Sequence, residues 1–248
     1  MEVHDAMEDL EGRTAIITGA GTGIGAAVAR DLAGSGVNVV LVGRRAGLIE
    51  GVAEEIRRQG GRATAVPADV RDFAEVERVV RTATDLYGQV DVFVANAAIA
   101  DYGPIDTADP DLWRDVITTN VLGVLFGVRA ALPGMLARGS GHVVIVSSAS
   151  GRVTYVGEPA YVASKHATVA FADCLRQEVA ARGIRVSVIE PGMVETPLIH
   201  VYPEANDLVP DVTPLPPEDI ARAVRYVLEQ PAYCNVFELV LRPTSQVL

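Results

Sequence analysis

The chain has 248 residues, a length typical of one domain, such as a barrel or a doubly wound sheet, rather than of two full domains. An apolar content of 49% with 21% charged residues indicates a globular protein and excludes a disordered one. The formal net charge of −11 leaves no basic surface for phosphates, so we expect no binding to nucleic acid.

Short apolar runs alternate along the chain with longer amphipathic stretches. The runs are rich in Val and Ile and unbroken, which is typical of strands buried on both faces of a parallel sheet. The predicted strands are residues 15–18, 37–42, 63–66, 90–95, 142–147, 186–190 and 236–241. The predicted helices are residues 24–33, 48–59, 73–87, 112–137, 160–182 and 218–229. This alternation predicts an α/β fold of Rossmann type, a doubly wound parallel sheet of about seven strands in a three-layer α/β/α sandwich.

Residues 197–217 interrupt the alternation with six prolines and no clear period, which predicts a lid-like substrate loop within a single catalytic domain at 1–248. Cys174 and Cys234 form no disulfide framework and the acidic start has no apolar signal region, so we expect a cytoplasmic protein. No apolar run approaches the roughly 18 residues of a membrane span, and we expect no membrane partner.

A glycine-rich turn follows the first predicted strand and opens the first helix. Three features of such a turn each need a residue without Cβ. They are the tight turn itself, the close approach of the main chain to a pyrophosphate, and the packing of the helix on the strand. The helix N-terminus then offers N–H groups and a positive dipole to the anion. An ordinary strand–helix turn would also contain glycine, but the flanking strand and helix favour a nucleotide site. Its predicted residues are Gly19, Gly21, Thr22, Gly23, Ile24 and Gly25.

The spacing T-G-x-x-x-G-x-G, which begins at Thr18, resembles that of the single-domain short-chain dehydrogenase/reductase family. The resemblance implies a nicotinamide dinucleotide, and the family's acidic residue that holds the NAD ribose corresponds to Gly43, followed by Arg44 and Arg45. Glycine removes a carboxylate that would repel a 2′-phosphate, and arginine binds phosphate with a planar fork. The alternative is that both arginines are solvated and bind no cofactor. The charges favour NADP (NADPH), and Arg44 is the stronger candidate for the contact with the 2′-phosphate.

Further cofactor contacts are implied by the same resemblance. Asp69 and Val70 correspond to the family pair that contacts the adenine. Asn96 and Ala97 correspond to the second and third residues of the family's N-N-A-G motif, whose other two positions differ here. The family's P-G-x-V-x-T motif implies nicotinamide contacts from Pro191, Gly192, Val194 and Thr196.

A tyrosine and a lysine stand four residues apart at the start of a long predicted helix. Tyr161 and Lys165 share one helix face, so both can converge on one ligand. An ordinary tyrosine titrates near 10, and an ammonium at roughly 4 Å stabilises the phenolate, so we expect Lys165 to lower the pKa of Tyr161. A half-buried tyrosine beside a snorkelling lysine would show the same spacing. Lys165 is, however, the only lysine among 21 Lys and Arg residues.

The family resemblance assigns roles to four residues. The family serine precedes the tyrosine by 13 positions, which selects Ser148 among three nearby serines, and the family asparagine corresponds to Asn120. The resemblance implies that Tyr161 is the general acid in reduction and the base in oxidation, and that Ser148 hydrogen-bonds the substrate oxygen. It implies that Lys165 also holds the nicotinamide ribose, and that Asn120 holds a water in a proton relay. No metal site is predicted.

The predicted lid carries no cation, because no Lys or Arg occurs between Arg185 and Arg222. A substrate carboxylate or phosphate usually requires an arginine, so we expect a neutral or cationic carbonyl or alcohol substrate. Arg152 is the alternative anion ligand, unless it forms a scaffold ion pair. Candidate wall residues, each equally able to serve as packing, are Tyr155, Met193, His200 and Tyr202.

The resemblance implies an NADPH-dependent ketoreductase that reduces a ketone or aldehyde, in secondary metabolism among other settings. Residues 241–246 resemble the ending of NADP-dependent 3-hydroxy-acid and serine dehydrogenases and of clavulanic acid dehydrogenase. The alternatives are an NADP-dependent dehydrogenase that oxidises a small hydroxy acid or polyol, and a catalytically silent nucleotide-binding regulator. Relatives assemble as tetramers or dimers through the helices at 112–137 and 160–182, so we expect a homo-oligomer, with a homotetramer preferred.

Overall fold

A computed structural model describes residues 7–201 and 212–247. Its strands are β1 (Thr14–Thr18), β2 (Asn38–Gly43), β3 (Arg62–Pro67), β4 (Val92–Ala95), β5 (Gly141–Val146), β6 (Ile184–Pro191) and β7 (Glu238–Leu241). Its α-helices are α1 (Gly23–Gly34), α2 (Ala46–Arg58), α3 (Phe73–Tyr87), α4 (Pro110–Ile117), α5 (Gly123–Arg138), α6 (Pro159–Val179) and α7 (Pro217–Glu229). Each predicted strand is present, with its ends displaced by at most two residues.

The seven strands form one parallel sheet in the order β3-β2-β1-β4-β5-β6-β7. One apolar core lies between the sheet and helices α1, α2 and α7, and the other lies between the sheet and helices α3, α5 and α6. The predicted Rossmann-type sandwich is therefore confirmed. Strands β1 to β3 follow one another toward one edge of the sheet, and strands β4 to β7 follow one another toward the other edge, so the order of addition switches between β1 and β4. Open α/β sheets bind ligands in the crevice at the carboxyl ends of the two strands at such a switch.

The predicted helix at 112–137 is divided in two. Residues Thr118–Leu122 form a single wide π-helical turn between α4 and α5, in which Gly123 N donates to Thr118 O. Hydrophobic spacing continues through this turn, so the sequence pattern did not reveal it. Asn120 lies within the turn and is 1% exposed. Such turns occur frequently at functional sites.

One helical stretch among the described residues, Pro110–Arg138, is long and apolar enough to cross a membrane by length and composition, with a mean hydropathy of 1.5. This stretch is longer than any unbroken apolar run in the sequence, because hydropathy is averaged here over 18 residues and some of those residues are polar. Of that window, 44% is buried inside the protein. A Cβ on Gly127 would lie 2.1 Å from the ring of Phe93 in β4, so the helix packs directly on the sheet.

The two ends of the predicted lid-like loop meet beside β6. Glu195 N donates to Leu215 O at 2.8 Å, and Leu215 N donates to Met193 O at 2.9 Å. Residues 202–211, which include Tyr202, lie outside the described residues. The lid itself therefore stays a prediction.

Candidate active site

A cleft at the carboxyl ends of β1, β2, β4 and β5 brings most of the predicted site residues together. The predicted residues that line it are Gly19, Gly21, Thr22, Gly23, Ile24, Arg44, Arg45, Asp69, Val70, Asn96, Ala97, Tyr161, Lys165 and Thr196. The predicted residues that do not line it are Gly25, Asn120, Ser148, Pro191, Gly192 and Val194. The nucleotide motifs and the Tyr161–Lys165 pair thus share one cleft.

The glycine-rich turn is shaped so that only glycine fits at two of its positions. Gly19 has a φ of 68°, and a Cβ there would lie 2.8 Å from Ala97 Cα. A Cβ on Gly25 would lie 2.4 Å from Gly19 O, so this glycine allows α1 to pack on the turn. Helix α1 has no side-chain hydrogen bond from its N-cap residue Thr22 and no acidic residue in its first turn. Its N-terminal N–H groups are therefore available to an anion.

Asn96 and Thr18 hold this turn against β4. Asn96 Nδ2 donates to Thr18 O at 2.9 Å, while Thr18 Oγ1 accepts from Asn96 N at 3.0 Å and from Ala97 N at 3.1 Å. Asn96 therefore stabilises the glycine-rich turn. Thr18 does so equally; its position at the start of the glycine motif was recognised in the sequence, but no role of its own was predicted for it.

Arg44 and Arg45 are both exposed at the end of β2, beside Gly43. Among the residues that the structure describes, neither guanidinium forms an ion pair with a carboxylate. Most other arginines of the described chain do form such pairs. The edge of the cleft that the sequence assigns to the 2′-phosphate therefore presents two arginines outside any ion pair of the described residues, although the charge of Arg44 also acts on Asp69.

Asp69 is held by Arg71. Its carboxylate accepts from Arg71 Nε at 3.0 Å and from Arg71 Nη2 at 2.7 Å, and Arg71 also binds Asp115. Hydrogen bonds from Arg71 lower the pKa of Asp69. This carboxylate is therefore ionised and fixed in orientation at the edge of the cleft.

Lys165 is only 4% exposed, and its Nζ donates to Val146 O at 3.1 Å. Burial lowers the pKa of Lys165 to about 8, so most of the population keeps its charge at neutral pH. The same Nζ lies 5.4 Å from the centroid of the Tyr161 ring.

The pKa of Tyr161 is raised to about 12, chiefly by burial and also by the carboxyl of Glu158, while a hydrogen bond with Ser148 acts in the opposite direction. The predicted lowering of this pKa by Lys165 is therefore wrong for the arrangement seen here. The spacing places the ammonium on the correct helix face but does not reveal how strongly the phenol is desolvated. Tyr161 is thus protonated at neutral pH, the form that can donate a proton.

The two adjacent serines after β5 point to different partners. Ser148 hydrogen-bonds Tyr161, and its Oγ accepts from Ser150 N at 3.1 Å. Ser147 Oγ instead bonds Lys165 O at 3.3 Å and Thr168 Oγ1 at 3.2 Å. Ser148 is therefore the serine that shares its surroundings with the Tyr161 hydroxyl.

The side-chain amide of Asn120 is fully engaged by the loop after β4. Ile99 N donates to Asn120 Oδ1 at 2.9 Å, and Asn120 Nδ2 donates to Ile99 O at 2.8 Å and to Ser164 Oγ at 3.0 Å. Asn120 thus joins the π-helical turn to α6. Both Nδ2 hydrogens are used in this geometry, whereas Oδ1 accepts one bond and keeps a second lone pair.

Arg152 forms a scaffold ion pair rather than an anion site. Its Nε donates to Glu190 Oε1 at 2.8 Å, and its Nη2 forms an ion pair with Glu238 Oε1. Both carboxylates raise the pKa of Arg152 further above its ordinary value. The alternative of Arg152 as a substrate carboxylate ligand loses its support, because the guanidinium fork is occupied.

The segment after β6 is tied to the C-terminal residues and touches the glycine-rich turn. Gly192 N donates to Leu241 O at 2.7 Å, and Met193 N donates to Gln246 Oε1 at 2.9 Å. A Cβ on Gly23 would lie 3.0 Å from Thr196 Cγ2. The segment therefore borders the cleft beside the glycine-rich turn, where Thr196 is one of the lining residues.

Asp101 is a site residue that sequence reasoning missed. Its carboxylate accepts from Tyr161 N at 2.8 Å and from Ala160 N at 3.3 Å. The signal in the sequence was only indirect. The helix begins at Pro159 with no Ser, Thr, Asp or Asn immediately before it, so the acceptor for its first turn has to come from elsewhere in the chain.

Residues 13–207 match the family model described as short chain dehydrogenase. An uncharacterized oxidoreductase of Staphylococcus haemolyticus is 38% identical over 237 residues, which cover 96% of this chain and all of that protein. A glycine betaine reductase of Emericella nidulans is 36% identical over 242 residues, and the match spans 96% of this chain but only 19% of that much longer protein.

Two solved structures share the fold closely. A metagenomic short-chain oxidoreductase in complex with NADP superposes with a TM-score of 0.83 at 30% identity, over 96% of this chain and 99% of that one. The alcohol dehydrogenase of the archaeon Thermococcus sibiricus, complexed with 5-hydroxy-NADP, gives 0.84 at 29% identity, over 94% and 97% of the two chains.

Proposed function

Because the chain belongs to the short-chain dehydrogenase/reductase family, whose members act on CH–OH and carbonyl groups, we propose that it is an NADPH-dependent reductase of ketones or aldehydes. The observation that carries the proposal is the shared cleft. One end presents an uncapped helix N-terminus and two arginines that form no ion pair among the described residues. The other end presents a protonated Tyr161, which hydrogen-bonds Ser148.

The residues of the cleft fit NADPH. The N–H groups at the start of α1 would hold the pyrophosphate, and Arg44, with Arg45 beside it, would bind the 2′-phosphate. The adenine would lie against Asp69 and Val70, and the nicotinamide against the segment from Pro191 to Thr196. When bound, NADPH supplies the hydride that reduces the carbonyl carbon. The NADP ligands of the two structural neighbours support this assignment.

The chain's own groups then manage the proton and the developing charge. Tyr161 donates its phenolic proton to the carbonyl oxygen as that oxygen gains negative charge. Ser148 donates a hydrogen bond to the same oxygen. Lys165 holds the nicotinamide ribose and places a buried positive charge near the phenol, while Asn120 anchors the loop after β4 and holds the relay water.

The substrate that fits this end of the cleft is neutral or cationic. Arg152 is occupied by two carboxylates, and the carboxyl groups nearest Tyr161 belong to Asp101 and Glu158. With Arg152 occupied, the described residues around Tyr161 offer no free guanidinium to a substrate carboxylate, which weakens the alternative of a small hydroxy acid.

We further propose a homotetramer in the cytoplasm, assembled through the long helices that include α4, α5 and α6. The support is the resemblance to the family and two partly exposed apolar side chains, Ile117 and Leu122, each 39% exposed. Native mass spectrometry should detect the tetramer, and a monomer at micromolar concentration would contradict the assembly.

The test of function is a panel of ketones, aldehydes and alcohols assayed with NADPH and with NADH, beside a binding titration of NADPH. We expect turnover of neutral or cationic carbonyls with NADPH preferred. Preference for NADH would contradict the role of Arg44, and oxidation restricted to hydroxy acids would favour the dehydrogenase alternative. Binding of NADPH without turnover of any compound would identify a regulator.

A further inference from the structure

The first turn of α6 has an unusual way of satisfying its main-chain donors. Pro159 begins the helix and has no N–H, and Val162 N already donates to Glu158 O at 2.9 Å. The donors left over are Ala160 N and Tyr161 N. Glu158 occupies the N-cap position, yet its side chain makes no capping hydrogen bond. The helix that carries Tyr161 therefore lacks a local cap.

Asp101 supplies the missing acceptors from a distant part of the chain. Its Oδ1 accepts from Tyr161 N at 2.8 Å and its Oδ2 accepts from Ala160 N at 3.3 Å, across 60 and 59 residues of sequence. Asp101 is 3% exposed, so these bonds lie away from competing water. A carboxylate at a helix N-terminus gains from the helix dipole as well as from the two N–H groups.

The loop that carries Asp101 is fixed on both sides. Before Asp101, both main-chain polar groups of Ile99 bond the side chain of Asn120. After Asp101, Gly103 N donates to Gly157 O at 2.8 Å in the turn that precedes α6. The carboxylate is therefore held rigidly between Asn120 and the start of α6.

We propose that Asp101 is a positioning residue for the reduction, because it fixes the first turn of α6 and thereby aims the Tyr161 phenol at the oxygen that Ser148 also contacts. The proposal rests on the proposed function for the role of Tyr161. A displacement of about 1 Å in a reacting group can lower a rate 100-fold, so loss of this clamp should reduce kcat even in a folded protein.

The experiment compares Asp101→Ala and Asp101→Asn with the matched control Asp91→Ala. Asp91 also accepts a main-chain N–H from a distant element, Thr14 N at 2.8 Å, but at the amino ends of the strands, opposite the cleft. The readouts are kcat and KM for a panel carbonyl that the wild type reduces, the Kd for NADPH, and amide hydrogen exchange of the peptide that contains Ala160 and Tyr161.

We expect Asp101→Ala to lower kcat by about 10- to 100-fold, to leave the Kd for NADPH within about twofold, and to accelerate exchange at the start of α6. Asp101→Asn should fall between it and the wild type, because an amide oxygen replaces only one of two acceptors; this variant carries the test if the alanine variant does not fold. Asp91→Ala should lower Tm while leaving kcat and exchange at α6 unchanged.

Unchanged kcat or unchanged exchange in both Asp101 variants would overturn the proposal, as would an equal loss of kcat in Asp91→Ala. If the wild type reduces no carbonyl, the proposed function fails. The exchange measurement still decides whether Asp101 clamps the helix, so the two failures are distinguishable.

Discussion

The two ends of the cleft differ in how their polar groups are satisfied. At the nucleotide end, helix α1 is uncapped, and Arg44 and Arg45 are exposed without carboxylate partners among the described residues. At the catalytic end, Asn120 and Lys165 are buried, and their side-chain nitrogens donate to main-chain carbonyls.

This difference indicates a division of labour. Unpaired donors in contact with water gain much from an arriving anion, so under the proposed function the nucleotide end sets affinity and cofactor choice. Groups that are already oriented inside the protein need no reorganisation during the reaction, so under the proposed function the catalytic end sets the rate. Substitutions at the two ends should therefore change different kinetic constants.

The largest effect is expected from Tyr161→Phe, which removes the proton donor and leaves the ring. Carbonyl reduction should fall by about 1,000-fold, because positioned acid catalysis contributes on the order of 100- to 10,000-fold. The assay is initial rate at saturating NADPH. The control is Tyr87→Phe, which loses a hydroxyl contact to Thr64 Oγ1 of 2.8 Å outside the cleft and should retain its rate. Wild-type activity in Tyr161→Phe would exclude this tyrosine as the acid.

Lys165→Arg should come next, with a loss of about 100-fold in kcat/KM at unchanged formal charge. The Lys165 site is 4% exposed and fits a compact ammonium, whereas a planar guanidinium is broader and presents its donors differently. The control is the reverse exchange at the surface, Arg57→Lys, which preserves the exposed pair with Glu50. An arginine variant as active as the wild type would show that only charge matters at this position.

At the nucleotide end, Arg44→Gln should weaken NADPH binding by about 10-fold and leave NADH binding unchanged, as expected for one lost charge-assisted hydrogen bond to phosphate. Arg58→Gln is the control, since Arg58 is also exposed but lies at the end of α2. Fluorescence titration with each reduced cofactor measures both constants. An equal loss for NADPH and NADH would contradict the 2′-phosphate assignment.

The smallest effect lies outside both ends of the cleft, at the amino ends of the strands. Ser187 Oγ donates to Val236 O at 2.6 Å, so it accepts from His142 Nε2, 2.8 Å away, and His142 Nδ1 has no partner among the described residues. Burial, with the charges of Arg185 and Arg13, holds the pKa of His142 well below its ordinary value.

Below about pH 6.5 the unfolded chain therefore takes up a proton that the folded protein refuses, and stability falls as pH falls. The loss should approach about 1.4 kcal/mol per pH unit between pH 6.5 and the depressed pKa. Urea unfolding from pH 7 to pH 5.5 measures it. His142→Gln should have a shallower slope by that amount, with unchanged kcat per folded molecule; an identical slope would exclude His142 as the cause.

The sheet and the nucleotide end could be anticipated from the sequence because their signals are local. Unbroken apolar runs define the strands, and Gly19 lies in a turn whose backbone shape demands glycine. The catalytic end was anticipated only in part. The partners of Asp101 are about 60 residues away, the turn that holds Asn120 keeps a helical spacing, and the desolvation of Tyr161 depends on everything packed around it.

The most direct test of the division of labour is a titration of NADPH into Tyr161→Phe and Arg44→Gln, with turnover measured on the same preparations. Tyr161→Phe should bind NADPH within about twofold of the wild-type Kd and yet lose turnover, whereas Arg44→Gln should bind about 10-fold more weakly and recover its rate at saturating cofactor. A Tyr161→Phe protein that lost NADPH affinity in proportion to its turnover, or an Arg44→Gln protein whose kcat stayed low at saturation, would contradict it.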